Sequence, residues 1–306
     1  MPAYTLAMLL RVAHVTRYRY DSPAWDSFNE LRLRPADDYR QTLHAFELTV
    51  RPRAELRSHR DRHETLVHHF HLPQHHERLH VVANALVETY PVPWPLEVDA
   101  RTLVGLRHRW FEFLAPSGRV PLDRDWHAQL GLPRLDAGGG LLAYLDGLTA
   151  ALRDRFRYAP QATTVDTPLA EFVASGSGVC QDYAHAMLAL CRADGIPARY
   201  VSGYVHAHPT REATLVGSEG SHAWIEAFLP GNGWVGFDPT NGCRIGEAHV
   251  KIGVGRDYDD VPPVRGLRRG GGAGALEVEV RVRHAEPWAD ENAAHGALGW
   301  ATADER

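Results

Sequence analysis

The hydrophobic pattern of this chain changes its period near residue 95, and that change constrains the fold more than any other feature. Between residues 10 and 90, apolar and polar residues alternate in segments such as "RVAHVTRYRY" and "HAFELTVRP". Alternation of this kind is typical of strands with one buried face. Beyond residue 100 the apolar residues recur at helical spacing, as in "GGLLAYLDGLTAALRDRF" at 139–156. The sequence therefore predicts an all-β region followed by a region that mixes helices and strands.

This pattern predicts an α+β chain with three parts. Residues 1–95 form a β-sandwich-like domain that ends at the proline-rich segment "YPVPWP". Residues 96–268 form a core that begins with short helices and ends with the strands "ARYVSGYVHA", "HAWIEAFLP" and "GWVGFDP". Residues 269–306 contain the glycine run "RGGGAGA" as a flexible connector, the strand "LEVEVRVR" and a C-terminal tail.

The charge balance argues against two classes of partner. The formal net charge is −5 and the isoelectric point is near 6.4, so there is no electrostatic reason to expect nucleic acid or an anionic membrane.

The opening "MPAYTLAMLLRVAHVTRYRY" has a short apolar run with no basic region before it and no small-residue cleavage site. It does not resemble a signal peptide, and no run is long enough to span a membrane. We therefore expect a cytoplasmic protein.

Three cysteines are too few and too odd in number for a disulfide framework: Cys180, Cys191 and Cys243. If the segment after residue 180 is helical, Cys191 lies about 16 Å along the axis from Cys180, beyond the reach of a disulfide. No Cys-x-x-Cys pair is present, which argues against a thiolate zinc site. The remaining question is whether one of these thiols reacts.

The segment "GSGVCQDYAHAMLALC" at 176–191 makes Cys180 the candidate nucleophile. It places this cysteine in the first turn of a helix, where free N–H groups and the helix dipole favour a thiolate. The same N–H groups could hold a tetrahedral oxyanion. A cysteine in a helix is more often part of the core, as we expect for Cys191, so this placement alone does not make Cys180 catalytic.

Two later segments supply candidate partners for the thiol. "SHAWIEAF" places His222 in a strand, and "GWVGFDPTNG" places Asp238 at the end of a strand. If these strands are adjacent and antiparallel, the Asp238 carboxylate can orient the His222 ring, whose other nitrogen would face Cys180. A single histidine in an apolar strand is also a common structural residue, so the trio by itself leaves both interpretations open.

The sequence segments around these three residues resemble those of a known protein family. "GVCQDYAHAMLALCRADGIPARYVSGY" followed by "SHAWIEAFLPGNGWVGFDPTNG" resembles the transglutaminase-like superfamily, and within it the bacterial cysteine-protease-like branch. "GRDYDDVPPVRG" and "HVTRYRYDSPAWDSFNELRLRP" extend the resemblance over residues 10–283. It implies a papain-like α+β core behind an N-terminal β-domain. Carried over by position, Cys180 is the nucleophile, His222 the base and Asp238 the residue that orients the base.

The resemblance implies a cysteine-dependent enzyme. Cys180 would attack an amide carbonyl of a peptide or protein substrate, and the thioester intermediate would pass its acyl group to water or to an amine. Because the bacterial branch is more protease-like than cross-linking, hydrolysis is favoured over acyl transfer. The alternative is a transglutaminase-like scaffold or peptide-binding module without turnover. Loss of a triad residue would indicate that alternative, and all three are present.

Residues outside the triad have less specific signals. Trp234 and Tyr204 could line the substrate cleft, whereas Asn241 in "DPTNG" is expected to be a turn residue. Papain-type enzymes carry an oxyanion glutamine six positions before the nucleophile, where this chain has Ala174. Gln181 follows the nucleophile instead, so we expect the oxyanion hole to depend on backbone N–H groups.

Histidines are concentrated between residues 59 and 80, and they raise the question of a metal site. The members are His59, His63, His68, His69, His71, His75, His76 and His80. His69 and His71 have the spacing that puts two side chains on one face of a strand. No cysteine or tight carboxylate pattern accompanies them, so we expect no metal here.

No phosphate-binding glycine loop is present, and no cofactor is expected. The oligomeric state is not determined by these patterns.

Overall fold

The computed structural model describes residues 7–207, 215–217 and 220–285. The strands are β1 (Met8–Leu31), β2 (Gln41–Arg51), β3 (Arg57–Arg60), β4 (Leu66–Leu72), β5 (His76–Thr89), β6 (Arg157–Tyr158), β7 (Ser177–Gly178), β8 (Ala198–Val205), β9 (His222–Leu229), β10 (Gly233–Asp238), β11 (Cys243–Arg244), β12 (His249–Gly255), β13 (Val264–Gly270) and β14 (Ala275–His284). The α-helices are α1 (Leu106–Arg109), α2 (Trp126–Leu130), α3 (Leu141–Arg155), α4 (Leu169–Ser175) and α5 (Cys180–Ala193). No helix within the described ranges is long and apolar enough to cross a membrane.

The long strand β1 organises the N-terminal sheet. The strand order is β2-β5-β1-β4-β3, and β13 and β14 also pair with β1. The first half of β1 pairs with β5 and β14, with Val12 opposite Val282, and its second half pairs with β4 and β13, with Glu30 opposite Arg265. Apolar side chains of the second half of β1, including Leu31, pack into one core with those of β4 and β5. The predicted β-sandwich-like N-terminal domain is confirmed.

The last two strands differ from the predicted domain boundaries. The sequence predicts a core that extends to residue 268 and a separate connector after it, whereas β13 and β14 return to the N-terminal sheet. The glycine run is the turn between them, and Gly270, Gly271, Gly272 and Gly274 have positive φ. The N-terminal domain is therefore discontinuous in sequence. Alternation identifies a strand but not the strand it pairs with, so this arrangement could not be predicted. The predicted C-terminal tail lies outside the described residues from 286 onward.

The core is built around α5, as the predicted α+β arrangement requires. Five antiparallel strands in the order β11-β10-β9-β8-β12 form its sheet, and α5 contacts β8 and β9. Every residue of α5 except the last is buried, and its alanines Ala184, Ala186 and Ala189 allow close packing. α3 covers another side of α5 with Leu145 and Leu148 in the same apolar cluster. The first residue of α5 is therefore held rigidly at one end of the sheet.

The two sheets share an apolar interface. Val250 and Ile252 of β12 pack against Leu10 and Val12 of β1, and Tyr204 of β8 belongs to the same cluster. Burial of these side chains is the main contribution to holding the domains together. The N-terminal domain thus packs against the part of the core sheet that is formed by β8 and β12.

Candidate active site

Cys180 begins α5 because the residues before it form a tight turn. A Cβ atom at Gly178 would lie 2.5 Å from Oδ2 of Asp182, so the backbone approaches too closely for a larger residue. The N–H of Val179 donates to that carboxylate oxygen at 2.8 Å, and Oγ1 of Thr163 donates to it at 2.6 Å. Asp182 therefore caps the helix and fixes Cys180 as its first residue.

The thiol of Cys180 lies beside the start of β9. Its Sγ is 3.9 Å from the carbonyl oxygen of Ser221, and the residue is 8% exposed. N–H groups in the first helical turn have no acceptor within the helix and can therefore bind an oxyanion. The side chain of Gln181 is engaged with a loop, because its Nε2 donates to the carbonyl of Val165 at 3.0 Å. Cys191, by contrast, is fully buried, and burial raises the pKa of its thiol.

His222 and Asp238 meet at the end of the core sheet nearest to Cys180. β9 begins with His222 and β10 ends with Asp238, so their antiparallel pairing brings the two residues together. Nε2 of His222 lies 2.8 Å from Oδ2 of Asp238, and both side chains are buried. Nδ1 of His222 has no hydrogen-bond partner among the described residues. Although burial lowers the pKa of His222, the Asp238 carboxylate and the Cys180 side chain together raise it to about 10.

The carboxylate of Asp238 accepts four further hydrogen bonds. Its Oδ1 accepts the backbone N–H groups of Thr240 at 3.0 Å and Asn241 at 3.2 Å. Its Oδ2 accepts Nδ2 of Asn241 at 2.7 Å and contacts Nε2 of His249 at 3.2 Å. Burial alone would raise the pKa of Asp238, but His222 and His249 hold it well below its usual range. The carboxylate is therefore ionised and fixed in one orientation.

Asn241 and His249 are members of this site that the sequence patterns did not identify. Asn241 does lie in the predicted turn, but its Oδ1 also accepts the N–H of Val216 at 2.8 Å. It thereby links Asp238 to the segment 215–217. Its position three residues after a candidate catalytic aspartate is a signal that could have identified it. His249 reaches the site from β12, and its sequence neighbours give no such signal.

The segment 215–217 approaches the Nδ1 side of the His222 ring. Gly217 has a φ of +90°, and a Cβ atom there would lie 2.5 Å from Nδ1 of His222. The backbone at Gly217 therefore packs directly against the ring of His222. A glycine at this position leaves room for the ring and satisfies the left-handed conformation at once.

The histidines between residues 59 and 80 contact carboxylate and aromatic side chains. Nε2 of His71 lies 2.8 Å from Oδ1 of Asp26, and its ring stacks on Phe28 at a centroid distance of 4.0 Å. The rings of His59 and His69 are 5.4 Å apart. Within the ranges that the structure describes, the one set of three potential metal ligands with atoms within 4.8 Å of each other is His222, Asp238 and His249. The hydrogen bonds around Asp238 account for their proximity.

The two predicted cleft residues lie in different surroundings. Trp234 starts β10, partly exposed, and its ring packs against Trp110 and under the guanidinium of Arg199 at 4.2 Å. Tyr204 is 1% exposed in the interface between the sheets, where its hydroxyl hydrogen-bonds Nδ1 of His14 at 2.9 Å. The expectation that Tyr204 lines a cleft is therefore wrong, because the N-terminal sheet covers its face of β8. A substrate contact at Trp234 stays a prediction.

Family comparisons match both halves of the chain. Residues 142–239 match the model of the transglutaminase-like superfamily, and residues 10–88 match that of the bacterial transglutaminase-like N-terminal region. An uncharacterized protein of Mycobacterium leprae is 36% identical over 290 residues, which span 89% of this chain and 98% of that protein. A protein-glutamine gamma-glutamyltransferase of Pseudomonas aeruginosa is 37% identical over 147 residues, or 43% of this chain and 22% of that protein.

A solved structure has the same architecture. A candidate cysteine protease from Cytophaga hutchinsonii superimposes with a TM-score of 0.72 at 22% identity, over 92% of each chain. At this identity the likeness establishes the fold. The predicted combination of an N-terminal β-domain with a papain-like core is thereby confirmed.

Proposed function

Because this chain belongs to the transglutaminase-like superfamily, we propose that it is a cysteine-dependent enzyme acting on amide bonds of a peptide or protein substrate. The observation that carries the proposal is the order of three groups. Sγ of Cys180 lies 3.9 Å from the carbonyl oxygen of Ser221, the residue before His222, and Nε2 of the His222 ring lies 2.8 Å from Oδ2 of Asp238. A nucleophile, a base and an orienting carboxylate need this order.

In the first half-reaction, Sγ of Cys180 attacks the carbonyl carbon of the amide. Nδ1 of His222 takes the thiol proton, and the Asp238 carboxylate stabilises the imidazolium that forms. The oxyanion would be held by N–H groups at the start of α5. When the tetrahedral intermediate collapses, the C–N bond breaks and Nδ1 gives its proton to the leaving amine. A thioester on Cys180 remains.

In the second half-reaction, we propose that water is the acyl acceptor. Nδ1 of His222 takes a proton from water, the hydroxyl oxygen attacks the thioester, and the carboxylic acid leaves as the thiol reforms. Transfer would instead need a neutral amine to reach the thioester before water does, because an ammonium has no lone pair with which to attack. Hydrolysis needs only a water molecule beside Nδ1 of His222.

Acyl transfer to an amine is the second candidate. It is favoured by the 37% identity to a protein named a protein-glutamine gamma-glutamyltransferase. A glutamine-containing peptide and a fluorescent primary amine distinguish the two outcomes. Hydrolysis releases ammonia and leaves glutamate, whereas transfer releases ammonia and incorporates the amine.

A binding module without turnover is the alternative from another class. The presence of all three triad residue types supports the enzyme instead.

The net charge of −5 supports a partner that is neither nucleic acid nor an anionic membrane. The cytoplasmic location stays a prediction.

The proposal is tested with an iodoacetamide probe followed by peptide mapping. We expect the wild type and Cys191→Ala to be labelled at Cys180, and Cys180→Ala to lose that label. Equal total labelling of the wild type and Cys180→Ala would contradict the role of Cys180 as nucleophile. Mass spectrometry of the acyl-enzyme formed in a cell lysate would then identify the acyl donor.

A further inference from the structure

His249 contacts the triad although it lies on the edge strand β12. Its side chain is 3% exposed, and its Nε2 lies 3.2 Å from Oδ2 of Asp238. The ring packs edge-on against Trp224 at a centroid distance of 5.4 Å. The same carboxylate oxygen lies 2.8 Å from Nε2 of His222. Two histidines therefore share one oxygen of Asp238.

The turn before β12 determines which nitrogen of His249 carries the proton. The backbone N–H of Gly246 points at Nδ1 of His249 at 3.3 Å, and the N–H of His249 donates to the carbonyl of Gly246 at 3.1 Å. A backbone N–H can only donate, so Nδ1 must be the acceptor. The proton of a neutral His249 is therefore on Nε2, where it is donated to Asp238.

We propose that His249 is a positioning residue that, as a neutral hydrogen-bond donor, shares the Asp238 carboxylate with His222 and limits how firmly that carboxylate holds the proton on His222. This inference rests on the proposed function, since it assigns His222 the role of base. A donor on Oδ2 draws charge away from the bond to His222. The imidazolium is still stabilised, but it can release its proton to the leaving amine more readily.

The surroundings of His249 keep it neutral. The titratable and charged groups that face it are Asp238 from β10, His222 from β9 and Arg40 from the link between β1 and β2. Burial lowers the pKa of His249, and His222 and Arg40 act in the same direction against Asp238. A second imidazolium beside His222 would repel the first, so neutrality is what the shared carboxylate requires.

A purely structural role makes a different prediction. An apolar side chain could fill the space beside Trp224, but it would leave Oδ2 without one of its donors. The Nε2 amide of glutamine can reach the position of a histidine Nε2 and donate there. Leucine therefore removes the donor while keeping an apolar side chain, and glutamine restores the donor.

The test uses NMR titration of His222 in a Cys180→Ser background, which removes the thiolate and needs no substrate. We expect C180S/H249L to move the titration midpoint of His222 upward by about one pH unit relative to C180S, and C180S/H249Q to return it close to the C180S value. An unchanged midpoint in C180S/H249L, or a glutamine variant that behaves like the leucine variant, would overturn the proposal.

A second measurement needs no substitution at His249. In the wild type labelled with ¹⁵N-histidine, we expect His249 to be the Nε2–H tautomer and to stay neutral from pH 5 to pH 8. Observation of the Nδ1–H tautomer or of an imidazolium in that range would refute the proposal even if the leucine variant does not fold. Failure of Cys180 labelling would instead refute the proposed function, so the two failures are distinguishable.

Discussion

The Sγ atom of Cys180 lies 3.9 Å from the carbonyl oxygen of Ser221, the residue before His222. This contact joins the first residue of α5 to the start of β9, so a helix positions Cys180 and a strand positions His222. Both are rigid elements in a buried core. Substitutions that move either element by a fraction of an ångström should therefore change reactivity more than stability.

Asp238→Asn should reduce kcat by about 10³-fold to 10⁴-fold, because a neutral amide cannot stabilise the imidazolium of His222. Its NH₂ group would also face the donors that now surround the carboxylate. The rate is measured on the substrate identified by acyl-enzyme trapping. Asp146→Asn is the control, since Asp146 pairs with Arg244 and is 39% exposed. A loss of less than tenfold in Asp238→Asn would contradict the orienting role.

The His222–Asp238 pair should make stability depend on alkaline pH. The pKa of His222 is raised from 6.5 to about 10 in the folded protein, so its contribution is complete below about pH 6.5 and is lost as pH rises towards 10. The free energy of unfolding should fall in this window with a slope of up to about 1.4 kcal/mol per pH unit. Urea unfolding at several pH values measures it. His222→Gln should lack this slope; an equal slope in both proteins would exclude His222 as its source.

Gly217→Ala should reduce the rate of Cys180 alkylation by about tenfold or more, since the new Cβ would lie 2.5 Å from Nδ1 of His222 and must displace the ring. Gly231→Ala is the matched control. Gly231 also has a positive φ, of +81°, but a Cβ there meets no atom within 4 Å. Both substitutions place a Cβ atom at a positive φ, so backbone strain alone would affect the two variants alike. Equal alkylation rates in the two variants would therefore show that Gly217 has no role beside the imidazole.

Tyr204→Phe should lower stability by about 1 kcal/mol and leave kcat and KM unchanged, because it removes a buried hydrogen bond to His14 between the domains. Chemical unfolding and steady-state kinetics measure the two effects. Tyr39→Phe is the control, since Tyr39 is 70% exposed and donates to the carbonyl of Trp234 at the surface. A raised KM with unchanged stability would restore Tyr204 as a substrate contact.

Local pattern was enough to predict the elements that carry Cys180, His222 and Asp238. A small-residue turn marks a helix start, alternation marks the strands, and the short hairpin between β9 and β10 makes them neighbours. The hydrogen bond between His222 and Asp238 follows from that register, whereas their catalytic roles stay predictions.

Contacts between distant segments could not be predicted in the same way. His249 reaches Asp238 because β12 pairs with β8 and not with its neighbour in sequence. The burial of Tyr204 depends on the N-terminal sheet, which alternation in β8 cannot identify. In each case the pattern gives the face of a strand, and the fold decides what covers it.

The pairing of β14 with β1 has a consequence for biosynthesis. Arg19 lies opposite Ala275, and Leu10 lies opposite His284, so a strand made after the whole core completes the sheet that was begun first. A ribosome adds residues in order, and β1 therefore keeps an unpaired edge until the chain beyond residue 284 has emerged. Unpaired edges attract other strands. During synthesis, therefore, this edge of β1 stays open to other strands until β14 pairs with it.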